Sequence, residues 1–139
     1  MKGIETAVRP HSGEETILVV EDDDGLRRLA TTVLSLNGYR VIGVAGGDEA
    51  IEAAAAHEGS IQLVLSDVTM PRMSGLQLVQ RLRELGLTAP TIFMSGCGDE
   101  DLADHGVIST PDTLLSKPFM PDALLERVRT TLDRLTRPG

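Results

Sequence analysis

Five residues of this chain have types and positions that suggest chemistry. Glu21 and Asp22 follow the apolar run Ile17-Leu18-Val19-Val20, and Asp67 follows Leu63-Val64-Leu65 and Ser66. Ser95 follows Ile92-Phe93-Met94, and Lys117 follows Leu114-Leu115-Ser116 and precedes Pro118. If these runs lie side by side, their ends bring three carboxylates, a hydroxyl and an ammonium to one edge. Two carboxylates about 4 Å apart repel by about 4 kcal/mol at an effective dielectric near 20. Three in one cleft must therefore hold protons at raised pKa values or bind a cation. Oxygen-only donors favour a hard ion, and Mg²⁺ is commonly held by one or two carboxylates while keeping several waters. Beside such a cation, Lys117 would neutralise the oxygens of a phosphoryl group and Ser95 would donate a hydrogen bond to one of them. Asp67, alone on its run, could act as a nucleophile that forms an acyl phosphate.

The elements that must position these residues follow from the apolar pattern. Runs of three or four apolar residues bounded by turn formers read as fully buried strands of a parallel sheet. In an open α/β sheet, ligands bind outside the carboxyl ends of the strands. Strands are predicted at Thr16 to Val20, Tyr39 to Val44, Ile61 to Ser66, Thr91 to Met94 and around Leu114-Leu115. Between them lies a helix over Gly25 to Leu36, with Leu26, Leu29, Ala30, Val33 and Leu34 on one face and Asn37-Gly38 at its end. An alanine-rich helix over Asp48 to His57 stops near Gly59. A third helix over Leu76 to Leu85 has Leu76, Val79, Leu82 and Arg83 near one face. The last runs from Pro121 to Leu135, with Pro121 suited to a first turn. Only Asp99 to His105 of the segment Gly98 to Pro111 looks helical, so the fourth helix is expected to be short or irregular. The alternation predicts an α/β fold, a doubly wound five-stranded parallel sheet with right-handed crossovers. Residues 1–15 read as a flexible lead-in, 16–136 as the folded domain and 137–139 as a tail.

Composition narrows the functions open to this fold. At 139 residues the chain is long enough for one substantial core. One Tyr, two Phe and no Trp make that core aliphatic and leave the surface without base-stacking platforms. The net charge of −8 argues against nucleic acid and anionic membranes as partners. One cysteine, Cys97, excludes an internal disulfide and fits a reducing compartment. No apolar stretch approaches the ~20 residues of a membrane helix, and Met1 to Glu15 has no apolar signal region. A cytoplasmic setting is expected.

The order of the pieces V-V-E-D-D, L-S-D-V-T-M-P-R-M-S-G, F-M-S-G and L-S-K-P-F resembles the receiver domain of two-component response regulators. The resemblance covers about Thr16 to Leu135. It implies a (βα)₅ flavodoxin-like fold in which Asp67 takes a phosphoryl group from a histidine kinase or its phosphotransfer domain, and the acyl phosphate switches partner binding. It also implies that Glu21, Asp22, Asp67 and the backbone carbonyl of Thr69 hold Mg²⁺. Ser95 matches the switch hydroxyl, and Lys117 matches the phosphate-binding lysine before a cis-proline. E-T-I-L-V-V-E-D-D, F-M-S-G-C with D-H-G-V-I, and L-L-S-K-P-F-M-P-D-A-L-L resemble receivers at the C-terminus of hybrid sensor histidine kinases. Departures are visible too. Glu21 replaces the more frequent Asp, and Leu114 stands where many receivers carry an inward-rotating aromatic. Thr69 and Cys97 occupy positions that can tune water access to the acyl phosphate. A homodimer formed on phosphorylation is compatible with this reading, and the downstream target is not specified by it.

Plainer roles compete for the same residues. Asp23 or Asp24 is expected to cap the first helix. Asp67 could be a loop acid, Ser95 an idle strand-end hydroxyl and Lys117 a solvated lysine; their joint occurrence weighs against each. Cys97 has no neighbour that would lower its pKa, and His11, His57 and His105 are isolated. The rival function is a Mg²⁺-dependent phosphatase or phosphotransferase working through an aspartyl phosphate on small molecules. Enzymes of that kind carry a second Asp two residues after the first, where this chain has Thr69.

Overall fold

The computed structural model describes residues 13–96 and 114–136, with side chains to residue 134. Strands β1 (Thr16–Val20), β2 (Arg40–Val44), β3 (Ile61–Asp67), β4 (Thr91–Ser95) and β5 (Leu114–Ser116) alternate with helices. The described helices are α1 (Asp24–Leu36), α2 (Gly47–Ala56), α3 (Gly75–Glu84) and α4 (Pro121–Thr136). Every strand pair is parallel, and the sheet order is β2-β1-β3-β4-β5. The chain moves outward from β1 to β2, then crosses back to β3. The order therefore reverses between β1 and β3, and this reversal opens a crevice beyond their carboxyl ends. The expected five-stranded parallel sheet is borne out. The short fourth helix expected within 98–111 lies outside the described residues, as do Cys97, His11 and His105. No described helix is long and apolar enough to cross a membrane.

Alternation along β1 shows why its residues form an unbroken apolar run. Ile17 and Val19 join a core with Ala30 and Leu34 of α1 and Leu124, Val128 and Leu132 of α4. Leu18 and Val20 point the other way, into a core with Ala50 of α2 and Leu78 and Leu82 of α3. Successive strand side chains point to opposite faces, and here helices cover both faces, so both must be apolar.

Two helix faces differ from the sequence reading. In α1 the buried positions are Ala30 and Leu34, while Leu29 is 40% exposed. Leu29 sits about 100° around the helix from Ala30, on the flank of the stripe. In α3 the fully buried residue is Leu78, and Arg83 is exposed. Leu78 and Leu82 face α2, whereas Val79 and Leu76 turn toward Val68 and Phe93. The helix thus serves two clusters, and a single-stripe reading misses its phase. The N-cap of α1 is Asp23, whose Oδ1 accepts from Leu26 N at 2.9 Å. Ser74 and Gln77 close a reciprocal capping box on α3.

The lead-in expected over 1–15 is described only from residue 13, and that part is tied down. Gly13 N donates to Asn37 O at 3.1 Å. The Arg129 guanidinium of α4 grips both Glu15 carboxylate oxygens, at 3.1 and 2.7 Å, and also reaches the Tyr39 hydroxyl and Asp133 Oδ1. Arg129 holds the Glu15 carboxyl below its usual pKa, more than offsetting partial burial. A depressed carboxylate stabilises the fold above its unfolded pKa, and the gain is lost as pH falls through the folded value. Glu15→Gln is expected to cost about 1 kcal/mol at neutral pH. That difference should shrink as the pH drops below the ordinary carboxylate range, as read by unfolding curves at a series of pH values. Coincident curves for the two proteins at neutral pH would contradict it.

Candidate functional site

The β1/β3 crevice receives its side chains directly from strand ends. Glu21 is the first residue after β1; its N donates to Val44 O at 3.1 Å, which prolongs the ladder by one step. Its side chain turns back under the chain, where Oε2 accepts from Asp23 N at 3.0 Å. The result is a glutamate only 1% exposed. Asp22, next along, is exposed. Asp67 closes β3 and is also 1% exposed. Its strand continues as Val68 N donates to Met94 O at 3.0 Å, and the loop returns as Gly75 N donates to Val68 O at 2.8 Å. Gly75 lies so close that a Cβ there would collide with the Asp67 carbonyl oxygen. Only a glycine lets α3 start against the backbone of Asp67.

The other half of the site comes from β4 and β5. Met94 pairs with Asp67 in register, which puts the buried Ser95 one residue beyond the end of β3. Lys117 N donates to Ser95 O at 2.8 Å, extending the β4–β5 ladder past Ser116. The Lys117–Pro118 peptide is cis, as the resemblance implied. From there Lys117 Nζ reaches Glu21 Oε1 at 2.8 Å and forms a second, closer ion pair with Asp67 Oδ1. Thr69 lies exposed in the loop after Asp67.

Thus Glu21, Asp22, Asp67 and Lys117 converge as expected, with Ser95 at the adjoining strand end. Each of the three acids offers a carboxylate oxygen within 4.8 Å of the others'. Both Asp67 carboxylate oxygens and Glu21 Oε1 are buried without a hydrogen bond of good geometry among the described residues. Lys117 is their only counter-charge among the described residues. Burial, and then the Glu21 carboxylate beside it, push the Asp67 pKa up to about 8 against the pull of Lys117. Burial also opposes ionisation of Glu21, but contacts with Asp67, Lys117 and the Asp23 amide outweigh it and hold that carboxyl below its usual value. Burial works against the Lys117 ammonium as well; the two carboxylates override this and raise its pKa. Two carboxyls this close titrate as a pair, and ionisation is opposed most at Asp67. Buried, under-partnered hard oxygen donors at a solvent-facing edge fit a small divalent cation.

Sequence reasoning did not single out Arg27 or Ser66. Arg27 NH1 donates to the Glu21 carbonyl at 2.9 Å, and Ser66 Oγ lies 3.0 Å from the Asp67 carbonyl. The Asp24–Arg27 spacing was the only local sign of the first. Nothing in sequence marked the second.

Comparison with known proteins agrees with this geometry. The family model for the response regulator receiver domain matches residues 17–129. The chain is 34% identical over 123 residues to the sensor kinase CckA of Brucella abortus, covering 88% of this chain and 13% of that kinase. It also spans about half the length of the transcriptional regulators it matches. Among solved structures, the receiver domain of the hybrid histidine kinase CckA superposes with a TM-score of 0.70 at 38% identity, covering 84% of this chain and 98% of that one. A chain of the CheX–CheY–BeF₃–Mg²⁺ complex from Borrelia burgdorferi gives a TM-score of 0.72 at 28% identity, with 84% of this chain and 87% of that one covered. With its strand-end acids and lysine set on a fold of this kind, the chain belongs to the response regulator receiver domains, the phosphoacceptor modules of two-component signalling.

Proposed function

We propose that Asp67 is the phosphoacceptor and that its donor is the phosphohistidine of a histidine kinase or phosphotransfer domain. An Asp67 carboxylate oxygen attacks phosphorus, the P–N bond to the donor imidazole breaks, and that nitrogen keeps the bonding pair. The acceptor must be ionised, and its burial beside Glu21 opposes this until positive charge is brought to the site. Glu21, Asp22, Asp67 and the Thr69 backbone carbonyl would hold Mg²⁺, which when bound supplies positive charge for the ionised acids and the incoming phosphoryl oxygens. Lys117 already spans Glu21 and Asp67 and serves as the fixed cation for a phosphoryl oxygen. Ser95 supplies a hydroxyl at the neighbouring strand end. Support for this reading rests on one observation above all. Three buried carboxylate oxygens lack good hydrogen bonds at the sheet's switch point, and a lysine faces them.

On this reading the domain is modified once per signalling event rather than turning over small molecules. Thr69 stands where an aspartyl-phosphate phosphatase needs its second acid. Incubation with acetyl phosphate and Mg²⁺ is expected to add one phosphoryl group to the intact mass, and EDTA to prevent it. Steady release of phosphate from unrelated phosphomonoesters, with no adduct, would overturn the proposal.

A further inference from the structure

Arg27 lies six residues after Glu21, on the first turn of α1, and is not among the residues assigned above. One guanidinium nitrogen donates to the Glu21 carbonyl at 2.9 Å; the other pairs with Asp24 Oδ1 at 2.6 Å. The first of these bonds is not part of helix geometry, because the Arg27 backbone N already donates to Asp23 O. The side chain reaches back over the edge strand to make it. Gly43 of β2 leaves the space: a Cβ there would lie 3.6 Å from Arg27 Cγ, 3.8 Å from Cδ and 2.9 Å from Thr31 Cγ2. A Cβ at 43 would crowd Thr31, while the arginine stem passes Gly43 at ordinary contact distance.

With this bond, both backbone atoms and Oε2 of Glu21 are hydrogen-bonded, and Oε1 is left facing Lys117. Its N donates to Val44 O, its O accepts from Arg27, Oε2 accepts from Asp23 N, and Oε1 faces Lys117. Three of these contacts come from β1's own ladder, the helix cap and the phosphate lysine. The fourth comes from a residue whose charge also pairs with Asp24, the last of four consecutive acids from Glu21 to Asp24. Resting on the acceptor reading above, we propose that Arg27 is a positioning residue for the acidic cation site. It fixes the main chain between Glu21 and Asp22 so that both carboxylates present to Asp67. Residues that orient ligands in this way commonly tune metal affinity by tenfold or more. Arg27 therefore sets how tightly the divalent cation is held, while leaving the transfer step at saturating cation to Asp67, Ser95 and Lys117.

The full chain and its R27M and R27K variants would be titrated with Mg²⁺ by calorimetry. In parallel, phosphoryl uptake from acetyl phosphate would be followed by intact mass across Mg²⁺ concentrations. R27M keeps the apolar stem over Gly43 and loses both donors; its half-saturating Mg²⁺ is expected to rise roughly tenfold. Its uptake rate at saturating Mg²⁺ should stay within about twofold of wild type, consistent with an effect on affinity alone. R27K, with one compact ammonium in place of the fork, should fall between the two. A general loss of structure would also raise the half-saturation point, because Mg²⁺ would then have to draw unfolded chain into the fold, so the shift is read only in variants whose circular dichroism in EDTA matches the wild type. Half-saturation unchanged in R27K, or in R27M where it folds, overturns the inference while leaving the acceptor reading intact. A wild-type chain that takes up neither Mg²⁺ nor the phosphoryl group overturns both.

Discussion

Asp67→Asn is expected to take no phosphoryl group from acetyl phosphate under conditions that label the wild type fully. The amide has no oxygen basic enough to attack phosphorus, so the loss should exceed about a thousandfold, as for removal of other nucleophiles. The same substitution should make the cation-free protein more stable. Asp67 titrates at about 8 in the fold and near 3.9 unfolded. Between those values the native state binds more protons than the unfolded one, so stability falls as pH rises through that window. An amide removes the slope and can still donate toward Glu21. At pH 8 in EDTA the variant should therefore unfold later than wild type, by a few kcal/mol, a gain that added Mg²⁺ narrows by stabilising the wild type more than a variant that lacks one carboxylate ligand. Phosphoryl uptake by the Asn protein, or a variant less stable than wild type in EDTA, would contradict this.

Lys117→Met is expected to have the next largest effect, and in both properties. Lys117 is the only cation paired with Glu21 and Asp67 among the described residues. Removing one partner of a buried ion pair leaves uncompensated charge and typically costs about 3–5 kcal/mol. Part of that is recovered here, because Asp67 can stay protonated rather than face Glu21 as an anion. The expected loss in EDTA is therefore about 2–3 kcal/mol, and saturating Mg²⁺ should restore much of it. The transfer rate should not recover. An electrostatic donor fixed at the developing charge is worth about 10²–10³ in rate, and a cation bound on the carboxylate side does not replace one delivered from β5. Unfolding curves with and without Mg²⁺, beside uptake rates at saturating Mg²⁺, test both halves. A rate within a few-fold of wild type would show that Lys117 is only a structural counter-ion.

Sequence carried the site because strand ends are legible. An apolar run in a two-sided sheet must stop where the chain leaves the core, and the residue at that stop faces the crevice. Glu21, Asp67, Ser95 and Lys117 were all found in this way. Helix faces were less legible. Periodicity points to Arg83 and away from Leu78 because α3 feeds two clusters, so its buried positions follow no single stripe. Leu29 has the spacing of a core residue yet lies on the flank, since α1 meets the sheet through Ala30 and Leu34, one helical turn apart. Contacts across the sheet edge were not legible at all. Arg27 reaches the Glu21 carbonyl alongside Gly43 of another strand, and Glu15 on Arg129 joins residues 114 positions apart. Neither pairing has a local pattern that periodicity could detect.

The identity of the acceptor atom is the claim on which the rest depends, and hydride trapping addresses it directly. An acyl phosphate is reduced by borohydride to a primary alcohol with loss of phosphate, whereas a free carboxylate is not. After labelling with acetyl phosphate and Mg²⁺, reduction and peptide mapping, position 67 should carry homoserine, and Glu21 and Asp22 should be unchanged. A reduced residue at 21 or 22, or labelled protein with aspartate intact at 67, would contradict the account.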